Sequence, residues 1–325
     1  MFTLRFDMRA PEIGAPLPDL YDAAIEMCAW AETRGAVAVM LSEHHAAQDN
    51  HLPSPLMLAS AIAARTTCLP IMLAAIVLPL YDTVRLAEDM CLLDIISKGR
   101  VSYVLAIGHR EEEYDQFGLD YHRRGAAAND KLDLLLKLLQ GEPLEIDGRR
   151  VHVTPPPMTP GGPTLMIAGG SVAAIKRAAR HGLGFVAQGN PPGLAELYDA
   201  ECRANGFEPG VARFTNPDAP TGVFVCDDVD WAWHELGPFI LHDAVAAAGY
   251  RHGQDGVASI TRARTVEELK ASPGPYRIYT VDEAAKLVGS GQPLPLHPLC
   301  GGLPPDLAWP YLENAARAVK AATSR

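Results

Sequence analysis

The chain has 325 residues, 48% hydrophobic and 21% charged, the balance of a folded globular protein rather than a disordered or fibrous one. This length fits one α/β barrel with insertions or two ordinary domains, and its core needs no disulfide or metal to hold it. A formal charge of −11 excludes an extended nucleic-acid face, since phosphate neutralisation needs clustered cations, although one basic pocket stays compatible with it.

The patterning predicts a strand over 3–8, a helix over 18–34 closed by Gly35, and a second strand over 36–42. A helix over 55–66, a strand over 71–78 and a helix over 83–97 follow, the last ending before Gly99. The fourth strand is expected over 101–107, then a charged loop, then a helix over 129–139. Strands over 164–168, 184–188 and 221–226 come next, with helical runs beginning near Val172, Leu194 and Val229. An eighth strand is expected over 295–300 and a closing helix over 306–322. Repeated β-then-α units imply a parallel sheet wrapped by helices. The early strands are apolar throughout, as strands buried on both faces are. Eight units in this length favour a single-domain (β/α)₈ TIM barrel over residues 1–325.

Two segments interrupt the rhythm. Residues 142–163 contain Asp147-Gly148, a hairpin-turn dipeptide, ahead of a proline-rich stretch, and read as a β excursion after unit four. Residues 249–279, between units seven and eight, are rich in glycine and charge and read as an insertion, either a lid or a loop. The helices over 55–66 and 83–97 have little polar face; Leu56, Met57, Leu58, Ala59, Ala61, Ile62, Ala63 and Ala64 surround the first almost completely. Burial in a homodimer accounts for this. Cover by a loop of the same chain would account for it as well.

Cys28, Cys68, Cys91, Cys202, Cys226 and Cys300 have no C-x-x-C spacing and read as reduced thiols of a cytoplasmic protein. The first residues lack a secretory pattern, and the longest apolar stretch, 69–80, is too short to span a bilayer.

Barrel chemistry sits where strands end and βα loops begin. Those ends offer Asp7, Ser42-Glu43-His44-His45, Ala74-Ala75, Gly108-His109-Arg110, Gly169-Gly170-Ser171, Gln188, Asp227 and Cys300-Gly301-Gly302. His44 and His45 suit general acid–base work, since imidazole titrates near neutrality. A loop histidine bonded to backbone fits the same position. A metal centre fits less well, because no second His-x-His or acidic pair is evident at another strand end. Gly169 and Gly170 let backbone approach a ligand, and the following helix offers free N–H groups to a phosphate; Ser171 could equally be an ordinary helix cap. Arg123-Arg124 could hold a phosphate or be a solvated pair, and Glu111-Glu112-Glu113 are expected to face water. Ala74-Ala75 leave room for a planar ring or relieve crowding inside the barrel.

Taken together, Ser42-Glu43-His44-His45, Ala74 to Pro79, Val84 to Asp89, Leu92-Leu93-Asp94 and Ser97 to Arg100 resemble the bacterial luciferase-like monooxygenases in order and spacing over residues 1–190. The resemblance implies a (β/α)₈ barrel, dimeric through its second and third helices. It also implies reduced FMN as cofactor, or a deazaflavin in one branch. His44 then corresponds to the histidine beside the isoalloxazine. Ala74 and Ala75 correspond to a pair, often joined by a non-prolyl cis peptide, that supports the ring. Gly170 and Ser171, preceded by Gly169, match the segment that meets the phosphate, and Arg124 a phosphate-binding arginine.

Ala106 and Ile107 stand where light-emitting members carry cysteine and arginine, and Gly170 where they carry an acidic residue. The chain therefore resembles the wider family more than the luciferases. The expectation is a monooxygenase using reduced FMN and dioxygen on a small organic substrate, with a separate flavin reductase because no Rossmann glycine pattern is present. Deazaflavin-dependent hydride transfer and a non-catalytic flavin-binding relative are the alternatives, with a metal-dependent hydrolase more distant.

Overall fold

The structure, a computed structural model, describes residues 1–187, 189–216, 219–250, 260–272 and 274–323. Two compact units divide the chain: Met1–Pro53 with Asn216–Arg325, and Ser54–Thr215.

The first unit opens with β1 (Phe2–Phe6), α1 (Leu17–Ala31) and β2 (Ala36–Leu41). Phe2, Leu4 and Phe6 are buried on one face of β1, while Thr3 and Arg5 on the other keep some exposure, the period-two pattern of a strand. The strand ends at Phe6, short of the expected residue 8, because Met8 takes φ 58° and turns the chain. Gly35 at φ 103° links α1 to β2. A side chain there would meet Val319 at 2.9 Å, so the turn needs glycine twice over.

The second unit contains α2 (Pro55–Arg65), β3 (Ile71–Val77), α3 (Thr83–Ser97), β4 (Val101–Ala106), α4 (Glu111–Gln116) and α5 (Arg124–Leu138). The hairpin β5 (Leu144–Ile146) and β6 (Arg149–Val151) follows. Then come β7 (Thr164–Ala168), α6 (Val172–Ala179), β8 (Gly184–Ala187), α7 (Leu194–Ala204) and β9 (Ala212–Phe214). Its strands run parallel in the order β3-β4-β7-β8-β9. Arg100 fastens its early loops, donating to Ser97 O, Thr66 Oγ1, Leu69 O and Ala63 O at 2.6–2.9 Å.

The chain then completes the first unit with β10 (Gly222–Cys226), α8 (Val229–Gly249), α9 (Val266–Ala271), β11 (Tyr276–Thr280), α10 (Val281–Gly289), β12 (Leu294–Leu296) and α11 (Pro305–Thr323). Here the parallel order is β11-β10-β12-β1-β2.

The α/β class and the parallel β/α rhythm are borne out, as is the hairpin, with Asp147 and Gly148 both at positive φ. Several expected boundaries are corrected. The charged loop holds α4, and α5 starts at Arg124 rather than 129. The eighth strand is only Leu294–Leu296, and Cys300–Gly302 form a 3-10 turn. Nor is the 249–279 segment a single loop. It contains α9, and β11 begins within it, pairing with β10 from Gly222↔Tyr276 to Cys226↔Thr280. Gln188, and residues 251–259 and 273 of that segment, lie outside the described residues. No helix among the described residues is long and apolar enough to cross a membrane.

Candidate active site

In the first unit, β1 delivers Asp7 to a buried polar centre. The turn at Met8 brings the Arg9 N–H back to Asp7 Oδ1 at 3.3 Å, and Arg5 Nη2, two residues earlier on the strand, donates to Asp7 Oδ2 at 3.2 Å. After β12, His297 places Nε2 3.3 Å from Asp7 Oδ2. Asp243 enters from α8, accepting from the Tyr276 hydroxyl at 2.5 Å and lying 3.1 Å from Arg9 Nε. Arg9 Nη1 also donates to Asp49 Oδ2, which His242 Nε2 approaches at 3.0 Å.

Two guanidiniums thus face three carboxylates, with Asp7 and Asp243 fully buried, Arg9 nearly so and Arg5 reaching partly to the surface. Burial alone would lift the Asp7 carboxyl, but His297, Arg9 and Arg5 overcome that and hold it well below the usual carboxylate range. Burial works against Asp49 in the same way and is overcome by His242 and Arg9. Both arginines are raised by these carboxylates despite their own desolvation. Asp243, His297 and Cys300 bring ligand atoms within 4.8 Å of one another, a spacing a metal could use. The chemistry opposes it: Asp243 is already neutralised by arginine, and burial, Asp243 and Asp7 push the Cys300 thiol well up.

The loop after β2 carries the expected histidines, and the structure separates them. His45 turns onto buried Glu43, Nε2 to Oε1 at 2.9 Å. His44 is half-buried, with its backbone N–H on Leu52 O and its ring between two others. One is His51, edge-on at 4.8 Å between centroids; the other is Tyr250, tilted at 4.9 Å. His51 is held neutral, its pKa well below the usual value chiefly through burial, and its Nε2 lies 3.4 Å from Ser42 Oγ.

In the second unit the Ala74–Ala75 peptide is cis. The ladder from β3 to β4 shifts register there, so that Val77 rather than Ile76 faces Ala106. All three alanines are half-buried. Gly108 follows at φ 69°, where a Cβ would meet Val77 at 2.9 Å. The Tyr114 hydroxyl donates to Ile107 O and the Tyr121 hydroxyl to His109 O, fixing the loop after β4. Arg124 stacks on the Tyr121 ring at 3.7 Å and donates through Nη1 to Tyr121 O, while its buried Nε has no acceptor among the described residues. The arginine pair therefore divides: Arg123 is exposed and Arg124 half-buried. Glu113, expected in water, is buried instead and accepts from Arg110.

Ser171 caps α6, accepting from Ala174 N at 3.3 Å. A Cβ on Gly169 would lie 2.4 Å from that of Ala174, whereas Gly170 faces open space. Arg177 of α6 donates to Asn129 Oδ1 and Gly125 O, tying the start of α5, and so Arg124, beside α6. Within this unit the expected ring-supporting residues share one pair of strands, and the expected phosphate residues share one pair of helices.

Sequence reading passed over Arg5, Arg9, Asp49, His242, Asp243, Tyr250, Tyr276 and His297. Arg5 and Asp7 two apart in an apolar strand were a legible sign of a buried pair. His242, Asp243 and Tyr250 lie on a helix that carries no motif.

A sequence profile described as luciferase-like monooxygenase matches residues 5–292. The chain is 29% identical over 125 residues to the oxygenase component of a flavin-dependent trigonelline monooxygenase from Acinetobacter baylyi, covering 38% of this chain and 35% of that one. The chain spans less than half the length of the curated relatives it matches. Its structure is similar to monooxygenase RslO1 from Streptomyces bottropensis, with TM-score 0.76 and 19% identity over 98% and 99% of the two chains. It is also similar to the FMN-bound oxygenating constituent of 3,6-diketocamphane monooxygenase from Pseudomonas putida, with TM-score 0.66 and 16% identity over 100% and 98%. Such distant likenesses speak to fold, and they bear out the expected (β/α)₈ class.

Proposed function

The chain belongs to the luciferase-like monooxygenase family, and we propose that it is a flavin-dependent oxygenase that takes reduced FMN from a separate reductase and uses dioxygen on a small organic molecule. Arg124 carries the FMN reading. A half-buried guanidinium, stacked on Tyr121 and with a buried Nε lacking an acceptor among the described residues, suits the phosphate of FMN and has no task on a tail-less ring. Gly170 and the first turn of α6 add backbone N–H groups beside it, while the Gly169 N–H is spent on Val186 O. Ala74, Ala75 and Ala106 present small side chains where a planar ring needs close approach to the strands. The FMN bound to the diketocamphane enzyme, and the designation of the trigonelline relative as an oxygenase component, support the cofactor and the separate reductase.

Bound FMN would supply the electrons that activate dioxygen; the protein's tasks are placement and proton handling. His44 is the group for the second task. His45 pairs with Glu43 and His51 is buried and held neutral, and this reading assigns the proton to a ring nitrogen of His44, half-buried in the loop after β2. The six cysteines are free, five of them buried, which supports a reducing cytoplasmic setting.

The deciding experiment is anaerobic titration with reduced FMN and with a reduced deazaflavin coenzyme, followed by air. Tight reduced-FMN binding with oxygen uptake upholds the reading. Preference for the deazaflavin without oxygen uptake moves the protein to hydride transfer, and binding of neither marks a non-catalytic relative. In the same assay His44→Ala should bind FMN and lose oxygen-dependent turnover; full turnover removes His44 from the chemistry.

A further inference from the structure

An imidazole that moves protons must keep its ring in one orientation. Two neighbouring rings pack against that of His44. His51 meets the His44 ring at 83° and is itself buried beside Ser42. Tyr250 meets it at 56° from a different element, the residue that closes α8.

Tyr250 is in turn held by Arg9, whose guanidinium lies 4.9 Å over its ring and donates through Nη1 to its hydroxyl at 3.4 Å. Arg9 cannot wander, because Asp7, Asp49 and Asp243 all pair with it. Asp49 Oδ2 serves two partners, accepting from Arg9 and meeting His242 Nε2. The same carboxylate therefore fixes the arginine that backs Tyr250 and the helix that carries it. His242 stands on α8 about two turns before its closing residue Tyr250, so the carboxyl end of the helix is anchored at two points.

We propose that Tyr250, held by Arg9, is a positioning residue for the His44 ring, and that the Asp49–His242 pair latches the carboxyl end of α8 to the loop after β2 to keep it there. The inference rests on reading His44 as the proton-handling group.

The test uses Asp49→Asn and Tyr250→Phe, each made alone and in a His44→Ala background. In the cofactor-free protein, the rate of His44 carbethoxylation by diethylpyrocarbonate is followed by site-resolved mass spectrometry. In the FMN-loaded protein, the oxygen-dependent reoxidation rate is followed by stopped flow. Asp49→Asn should speed carbethoxylation of His44 several-fold and slow reoxidation by roughly ten- to a hundredfold, the cost of a misplaced catalytic group. Reduced-FMN affinity should stay unchanged. Tyr250→Phe keeps the ring and should show a smaller effect of the same sign; it also keeps the test open if the Asp49 variant does not fold. With His44 already removed, neither change should slow reoxidation further, because both act through it. Unchanged carbethoxylation in both variants, or equal slowing in the His44→Ala background, overturns the positioning role alone. Wild-type reoxidation in His44→Ala by itself overturns the underlying reading, and the inference with it.

Discussion

His297 Nε2 lies 3.3 Å from Asp7 Oδ2, and neither side chain has any exposed surface. Asp7 is also the shared acceptor of Arg5 and Arg9, so replacing it takes a buried carboxylate from both guanidiniums at once. Removing one partner of such a buried pair costs about 3–5 kcal/mol. Asp7→Asn should lose that much stability in urea unfolding at neutral pH, and a loss under about 1 kcal/mol would show the network to be dispensable.

The same carboxylates fix the sign of the acid response. The folded-state pKa of Asp7 and of Asp49 is depressed, so the stability they contribute is present above the ordinary carboxylate range and lost as pH falls through the folded values. Wild-type unfolding free energy should therefore decline below about pH 4, and Asp7→Asn should show a shallower decline. An equal slope in the two proteins would place the acid sensitivity elsewhere.

Two adjacent glycines offer a sharper contrast. A Cβ on Gly169 would sit 2.4 Å from Ala174 Cβ, whereas one on Gly170 meets nothing within 4 Å. Gly169→Ala must push the strand end away from α6, and the N–H groups of the first turn move with it. It should weaken FMN binding by about tenfold or more, while Gly170→Ala stays near wild type. Fluorescence titration of FMN against both variants decides the matter. Equal affinities would mean that the segment does not touch the cofactor.

The sequence made the β/α rhythm legible because each strand is a short apolar run closed by a glycine or polar turn. It misled where burial depends on partners far along the chain. Glu113 sits in an acidic run that looks solvated, yet Arg110 three residues earlier takes it inward. The 249–279 segment looked like an insertion because Tyr276–Thr280 is short and sits among glycine and charge, but it pairs with β10. His44 stood out as a candidate from its place after an apolar strand, and its proposed role from the family resemblance. Its supports were not legible, since Arg9, Asp49 and Tyr250 meet only when strand, loop and helix fold together. Tyr276 and Asp243 likewise give no local sign of their shared hydrogen bond.

The apolar second and third helices keep an unpartnered face. Met57 is 74% exposed and Leu92 49%, with Ile95 and Ile96 more than a third exposed. The expected homodimer would bury this face. Met57→Glu combined with Ile96→Glu should convert a dimer to a monomer in sedimentation velocity while circular dichroism stays unchanged. A wild-type protein that sediments as a monomer would dismiss the dimer outright.

Arg124 allows the cofactor's phosphate to be tested apart from its ring. Its guanidinium is held in place by the Tyr121 ring and carbonyl, and α6 is tied beside it through Arg177 and Gly125. A charge-assisted bond of this kind is worth about 1.5–3 kcal/mol. Arg124→Ala should therefore weaken FMN binding by roughly ten- to a hundredfold. Riboflavin, which has the same ring and no phosphate, should bind the variant and the wild type alike. Arg124→Lys should recover part of the FMN affinity, because it restores the charge but not the planar fork or the stacking on Tyr121. Equal weakening of both ligands would mean that Arg124 supports the fold of the loop rather than the phosphate. No weakening of either would place the phosphate on other donors.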